Sequence, residues 1–267
     1  MKILAQNAAI IERSGILKAH AKLAETNDFS GFEGFELSDE SAQGGPCVFE
    51  TEGSLGAFEY VVVEGMSVNS QLDRLKRCRS DAPIMALALD GHHFRGQHGR
   101  RWISGIGNLY LSLYLPKVTL KKLGLDHLND GIHADYQIGA CLNETQTEEL
   151  FNMPQTQMRL QMMPCKAVFD SLRDLGLSPV LRYPNDIVMM IENRPHKIAG
   201  CLTELTAGRD MIESVRFGIG LNVEHAPQIT DSGLSACCIH DFIPTISVGQ
   251  CCCMVCDIIG RAYCRRQ

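Results

Sequence analysis

The segment Phe94-Arg95-Gly96-Gln97-His98-Gly99-Arg100-Arg101-Trp102-Ile103-Ser104 runs almost at once into Gly107-Asn108-Leu109-Tyr110-Leu111-Ser112-Leu113. A glycine-bearing cationic loop therefore feeds directly into a strand, and that junction constrains the chain more than any other stretch. Backbone N–H groups freed by Gly96 and Gly99, with the guanidinium groups of Arg95, Arg100 and Arg101, can surround a phosphate or carboxylate with charge-assisted hydrogen bonds. The competing reading of the same residues is a surface loop with solvated arginines.

Around this junction, hydrophobic patterning alternates between strand and helix. Strands are expected over 58–63, 84–89, 109–115, 178–182, 186–191, 197–205 and 213–223, and helices over 69–79 and 163–175. The mixture implies an α/β or α+β sheet domain. Ile3, Ala8, Ile11, Leu17 and Leu23 give residues 3–23 a loose helical period interrupted by Gly15. Residues 26–58, rich in Gly, Ser, Asp and Glu, read as a long loop, so residues 1–58 are expected to form a partly helical, loop-rich extension ahead of a domain over 59–267. Residues 117–157 read as a polar insertion with little core.

With 267 residues, 45% of them apolar, the chain can bury a large core. A net charge of −6 argues against a nucleic-acid-binding role, since phosphate backbones reward clustered positive charge, and no two-helix DNA-binding pattern is evident. No stretch of about eighteen apolar residues suggests a membrane span, and Met1-Lys2-Ile3-Leu4-Ala5-Gln6 lacks export features. A soluble cytoplasmic protein is expected, with its twelve cysteines reduced.

Two further segments carry chemistry. Arg182-Tyr183-Pro184-Asn185-Asp186-Ile187-Val188 leads by a short turn to His196-Lys197-Ile198-Ala199-Gly200-Cys201-Leu202-Thr203-Glu204-Leu205, and Phe217-Gly218-Ile219-Gly220-Leu221-Asn222-Val223 follows. Together with the cationic loop, these blocks resemble the catalytic core of biotin protein ligases, whose pattern runs GRGRxGRxWxSxxGxNLYxS, KWPND, RKxAGxLxE and GIGxN. The resemblance covers roughly residues 60 to 225 and places the chain near the biotin branch of the biotin/lipoate protein ligase superfamily. It implies a class II synthetase-like fold, a mixed central sheet flanked by helices.

The activity implied is formation of biotinyl-5′-AMP from biotin and ATP with Mg²⁺, then transfer of biotin to a lysine of a biotin carboxyl carrier protein or domain. A homodimer is compatible with the resemblance, and neither nucleic acid nor membrane is an expected partner. Lys197 matches the lysine that touches biotin carboxylate and α-phosphate, and Arg95 and Arg100 would offset repulsion between the anions. The implied binding set is completed by Ser67, Val68, Asn69, Gly91, Gly96, Gln97, Gly99, Trp102, Asn185, Asp186, Gly200, Gly218 and Asn222, with Gly220 also allowing close backbone approach and Asp186 a candidate metal contact. Each has an ordinary structural alternative: a helix cap for Ser67 or Asn69, a turn for Pro184-Asn185-Asp186, core anchoring for Trp102, a bulge for the glycines and strand-end hydrogen bonding for Asn222. Lipoate or octanoate transfer is the alternative enzyme reading, and a ligase-derived binding or regulatory protein the alternative outside enzymes.

The chain departs from the family pattern at identifiable places. Phe94 stands where the family has its first glycine, Gln97 replaces an arginine, Gly91 occupies a glutamine position, Arg182 replaces a lysine and Val68 lacks a hydroxyl. Phe94 implies either another loop path or strain of about 1–3 kcal/mol. Gln97 removes a cation and is expected to weaken retention of the acyl-adenylate by about 1–3 kcal/mol. About forty residues follow the last block, too few for a full C-terminal β-barrel. In that tail Cys253 and Cys256 form a CxxC pair near Cys237, Cys238 and His240, a pattern open to zinc. The stronger reading is a capped helix beginning at Ser247 and Gln250, with Val248, Cys252, Val255, Ile259 and Ala262 as its buried face.

Overall fold

The computed structural model describes residues 1–5, 8–16, 24–26, 47–50, 58, 60–64, 71–75, 81–92, 94–128, 136–228 and 234–264. In chain order it contains β1 (Lys2–Ala5), α1 (Ala8–Ser14), β2 (Ala24–Thr26), β3 (Cys47–Glu50), β4 (Tyr60–Glu64), α2 (Gln71–Leu75), β5 (Ile84–Ala88) and β6 (Leu109–Pro116). There follow α3 (Lys117–Lys122), α4 (Glu144–Phe151), α5 (Thr156–Asp174), β7 (Pro179–Arg182), β8 (Asp186–Ile191), β9 (Arg194–Ala207), β10 (Ile212–Leu221), β11 (Ser235–Ala236) and α6 (Val248–Cys264). The described strands form one mixed sheet in the order β2-β3-β1-β4-β5-β6-β10-β9-β8-β7, with β11 added parallel to β9. β1, β4 and β5 run parallel, and the remaining pairs along the path are antiparallel.

Alternation sorts side chains to two faces. On the back face Met85, Leu87, Leu109, Leu111, Leu113, Val215, Phe217 and Ile219 join the main core with α5 and α6. On the front, Leu4, Val48, Val62, Leu75, Ile84, Ala86 and Tyr114 form a smaller cluster covered by α2. Within α5, Pro164 lacks the N–H that would bond the Leu160 carbonyl, and Thr203 Oγ1 of β9 reaches that carbonyl at 3.5 Å. Burial of Met158, Leu160, Met162, Val168, Phe169 and Leu172 fixes the helix to the sheet.

Three expectations are corrected. Residues 3–23 begin as a strand, because Ile3, Leu4 and Ala5 are buried on both faces beside β4, and a short parallel run of this kind carries no period to distinguish it from a helix. The segment 26–58, expected as a loop, supplies β3, with Val48 fully buried, and residues 17–23, 27–46 and 51–57 lie outside the described residues. The 117–157 segment is likewise not poor in core, since Leu120, Leu142, Leu150 and Phe151 are all buried. Its α4 starts with a capping box in which Asn143 Oδ1 accepts from Gln146 N–H at 2.9 Å and the Gln146 side chain accepts from Asn143 N–H at 3.0 Å.

The tail folds as the helical reading expects. Ser247 Oγ accepts from Gln250 N–H at 3.2 Å, and Cys252, Val255 and Ile259 are buried along α6. The Cys256 thiol donates to Met85 Sδ at 3.2 Å, a core contact. Burial pushes the Cys237 and Cys251 thiols up to about 12, so both stay protonated near neutrality. Among the described residues, no helix is long and apolar enough to cross a membrane.

Candidate functional site

Strand register lays one residue from each of seven strands along a single row of the front face. Arg182 pairs with Asp186, Asp186 with Gly200, Gly200 with Gly220, Gly220 with Tyr110, Tyr110 with Ala88 and Ala88 with Glu64. The three chemistry-bearing segments of the sequence thus meet at right angles to the chain.

Lys197 reaches this row through a backbone irregularity. It lies three residues before Gly200, and strict alternation would send the two to opposite faces. The β8–β9 register shifts between Ile187 and Val188, and the neighbours Ile198 and Ala199 both enter the core. Lys197 consequently emerges beside Gly200, its Nζ 3.2 Å from where a Cβ on that glycine would sit. A bulge here re-aims a side chain towards the site.

Two cations share one carboxylate on this row. Lys197 Nζ lies 2.5 Å from Asp186 Oδ1 and Arg182 Nη1 lies 3.3 Å from Asp186 Oδ2. The side chains are 19%, 14% and 26% exposed for Lys197, Asp186 and Arg182, so the excess positive charge is partly shielded from water. Asn222 is buried and its amide donates to the carbonyls of Cys237 at 3.0 Å and Lys197 at 3.4 Å, holding the backbone under the lysine. Asn185 Nδ2 donates to the Cys201 carbonyl at 2.8 Å, fixing the turn before Asp186 to β9.

Trp102 rests on the paired glycines. A Cβ on Gly200 would lie 2.7 Å from Cζ3 of the indole, and one on Gly220 would lie 2.5 Å from Cε2. The bare backbone of two neighbouring strands is therefore the seat of this ring, and Lys197 Nζ stands 5.0 Å from the indole centroid. Trp102 Nε1 is buried with no hydrogen-bond partner among the described residues. Gly218 admits a different neighbour, Leu72 of α2, whose Cδ1 is 2.8 Å from the Cβ position.

The cationic loop is a small hairpin. Arg95 and Arg101 face each other in an antiparallel bridge, Trp102 N–H donates to the Phe94 carbonyl at 2.9 Å and Gly96 N–H to the Arg100 carbonyl at 2.8 Å. A single 3-10 turn over Gln97–Gly99 closes it, with Gly99 at φ 71°. Arg95, Arg100 and Arg101 are exposed, and Arg95 Nη1 lies 4.0 Å from Asp73 of α2. The loop takes another path at Phe94: Glu192 and Asn193 are the described non-glycine residues with positive φ, and the Phe94 ring stacks on Tyr110. Gly91 is buried and its carbonyl accepts from Ser104 Oγ. Ser67, Val68 and Asn69 lie outside the described residues.

Sequence reasoning did not single out Tyr110, whose hydroxyl accepts from Gly105 N–H at 2.7 Å and donates to the Gly105 carbonyl at 2.9 Å. It also passed over Asn108, buried, whose Oδ1 accepts from Val223 N–H at 2.8 Å and ties the loop exit to the end of β10. Both stood inside the strand-entry segment, where a tyrosine on the loop-facing side of an alternating strand was the available signal.

No family model and no curated protein matches the chain. Among solved structures, it is similar to a biotin protein ligase from Aquifex aeolicus in complex with biotin and ATP, at 19% identity and a TM-score of 0.53, over 77% of this chain and 71% of that one. A point mutant of the Aquifex aeolicus ligase in complex with biotin matches at 19% identity and a TM-score of 0.51, over 76% and 69%. The lipoate protein ligase of an archaeal lipoylation system from Thermoplasma acidophilum matches at 13% identity and 0.43, over 78% and 84%. The first two comparisons establish the fold, a mixed sheet flanked by helices as in biotin protein ligase catalytic domains.

Proposed function

We propose that this protein is an ATP-dependent biotin protein ligase, which activates biotin as its adenylate and passes it to a lysine of a biotin carboxyl carrier domain in the cytoplasm. The observation that carries the reading is Lys197, turned by the bulge onto a glycine-floored row beside Asp186 and Arg182. Support comes from the shared fold with a ligase whose structure holds biotin and ATP.

In the first step a biotin carboxylate oxygen attacks the α-phosphorus of ATP. The bond from that phosphorus to the pyrophosphate oxygen breaks and pyrophosphate leaves with the electron pair. Two anions must be held together, and the ammonium of Lys197 can follow charge from the carboxylate to the new bridging oxygen. Asp186 holds Lys197 in place, and Asn222 anchors its carbonyl. Arg95 and Arg100, exposed at the rim, receive the polyphosphate. In the second step the neutral amine of the acceptor lysine attacks the acyl carbon, forming the amide and releasing AMP, while the amine proton passes to solvent.

Each oxygen of Asp186 is already engaged by a cation, so this carboxylate does not fit the part of a metal ligand. Mg²⁺ brought in with ATP would neutralise phosphate charge without a ligand from Asp186.

The test is biotin-dependent ATP–pyrophosphate exchange by the purified protein, with Lys197→Ala and lipoate in place of biotin as controls. Exchange with biotin that disappears in the variant supports the reading, and exchange with lipoate alone moves the chain to the lipoate branch. Biotin binding without exchange would make it a passive binder.

A further inference from the structure

We infer that Phe94 and Tyr110 are positioning residues that hold the cationic loop closed over the glycine floor. The Phe94 ring lies nearly parallel to Tyr110, with centroids 4.8 Å apart and planes at 20°. The same tyrosine grips the far end of the loop through both backbone groups of Gly105, at 2.7 and 2.9 Å. Tyr110 itself is rooted in β6 and 3% exposed. One buried side chain thus fastens the loop where it begins and where it ends.

Between these grips the hairpin bridge of Arg95 with Arg101 leads straight into Trp102, which is laid on Gly200 and Gly220. Gly220 is the register partner of Tyr110, so clamp and seat are adjacent on the row. Burial raises the Tyr110 phenol above its ordinary value, and the hydroxyl keeps the proton it donates to Gly105 throughout the neutral range. A glycine at position 94 would offer no ring to stack, so the grip at the start of the loop depends on phenylalanine here.

One functional consequence rests on the ligase reading proposed above. A ligand entering the floor must displace the indole, and an acyl-adenylate formed beneath the loop escapes only when the clamp opens. The clamp then offsets the weaker grip expected from Gln97.

Trp102 is the single tryptophan of the chain, so acrylamide quenching of its fluorescence in ligand-free protein reads the clamp directly. Phe94→Gly and Tyr110→Phe should each raise the quenching constant by roughly threefold to tenfold, the range set by one aromatic pair or one hydrogen-bonded anchor. Phe94→Tyr, which keeps the stacked ring, should quench as wild type does, separating loss of the clamp from loss of folding. Release of preformed biotinyl-adenylate should accelerate in the first two variants and not in the third.

Equal quenching in wild type, Phe94→Gly and Tyr110→Phe would overturn the clamp, even if adenylate forms normally. Raised quenching with no adenylate formed from any acyl substrate would leave the clamp standing and remove the ligase reading.

Discussion

The two faces of the sheet follow opposite rules along the same strands. On β10, Val215, Phe217, Ile219 and Leu221 point back into the main core, whereas Ser214, Arg216, Gly218 and Gly220 point forward. Behind, large apolar residues pack against α5 and α6 in one continuous core. In front, the β1–β4–β5 side closes over its own apolar cluster, while the β8–β9–β10 side is floored by glycine and edged by charge. Regular alternation builds the fold, and the site stands where one face abandons it.

The front face can be tested from both ends. At the closed end Glu64 is fully buried, held by Arg74 and by Gln71 Nε2 at 2.8 Å. Arg74→Leu removes the cation beside that buried carboxylate and should cost about 3–5 kcal/mol in urea denaturation. A cost near zero would show that apolar packing alone closes this side. At the open end Lys197→Ala should lower adenylation by about 10²–10³-fold, equivalent to roughly 2.7–4 kcal/mol, with thermal stability unchanged. A matching loss of stability would make Lys197 a structural residue and erase the contrast.

Smaller effects sharpen the difference between floor and core. Gly220→Ala drives a methyl group into the indole and should cost about 1–3 kcal/mol while shifting Trp102 emission. Its back-face neighbour Ile219→Val, which only removes a methyl from packed core, should cost about 0.5–1.5 kcal/mol and leave the emission alone. Smallest is Ser247→Ala, which removes the cap of α6 for about 1 kcal/mol or less in a calorimetric scan and should not alter adenylation.

The strands that frame the site were legible because β5, β6, β8, β9 and β10 carry apolar runs bounded by turn residues. The cap and buried face of α6 were legible for the same local reasons. Strand β1 was not, since Ile3, Leu4 and Ala5 face two cores at once and their partner β4 is distant in sequence. Nor did the sequence announce that Lys197 shares a face with Gly200, because an odd spacing argues otherwise until the bulge is seen. Gly200 and Gly220 read as room for a ligand, yet their immediate neighbour is the indole of Trp102, a contact set by tertiary packing. Motif blocks identified which segments matter, and only register revealed how their side chains meet.

The cross-strand row from Arg182 to Tyr110 has a consequence for how this protein tolerates change. A site read across the grain of the chain has no slack along it. Inserting or deleting one residue within β8, β9 or β10 would turn that strand's remaining side chains over and carry them off the row, whatever their identity. Length variants of this protein should therefore be absent from these three strands.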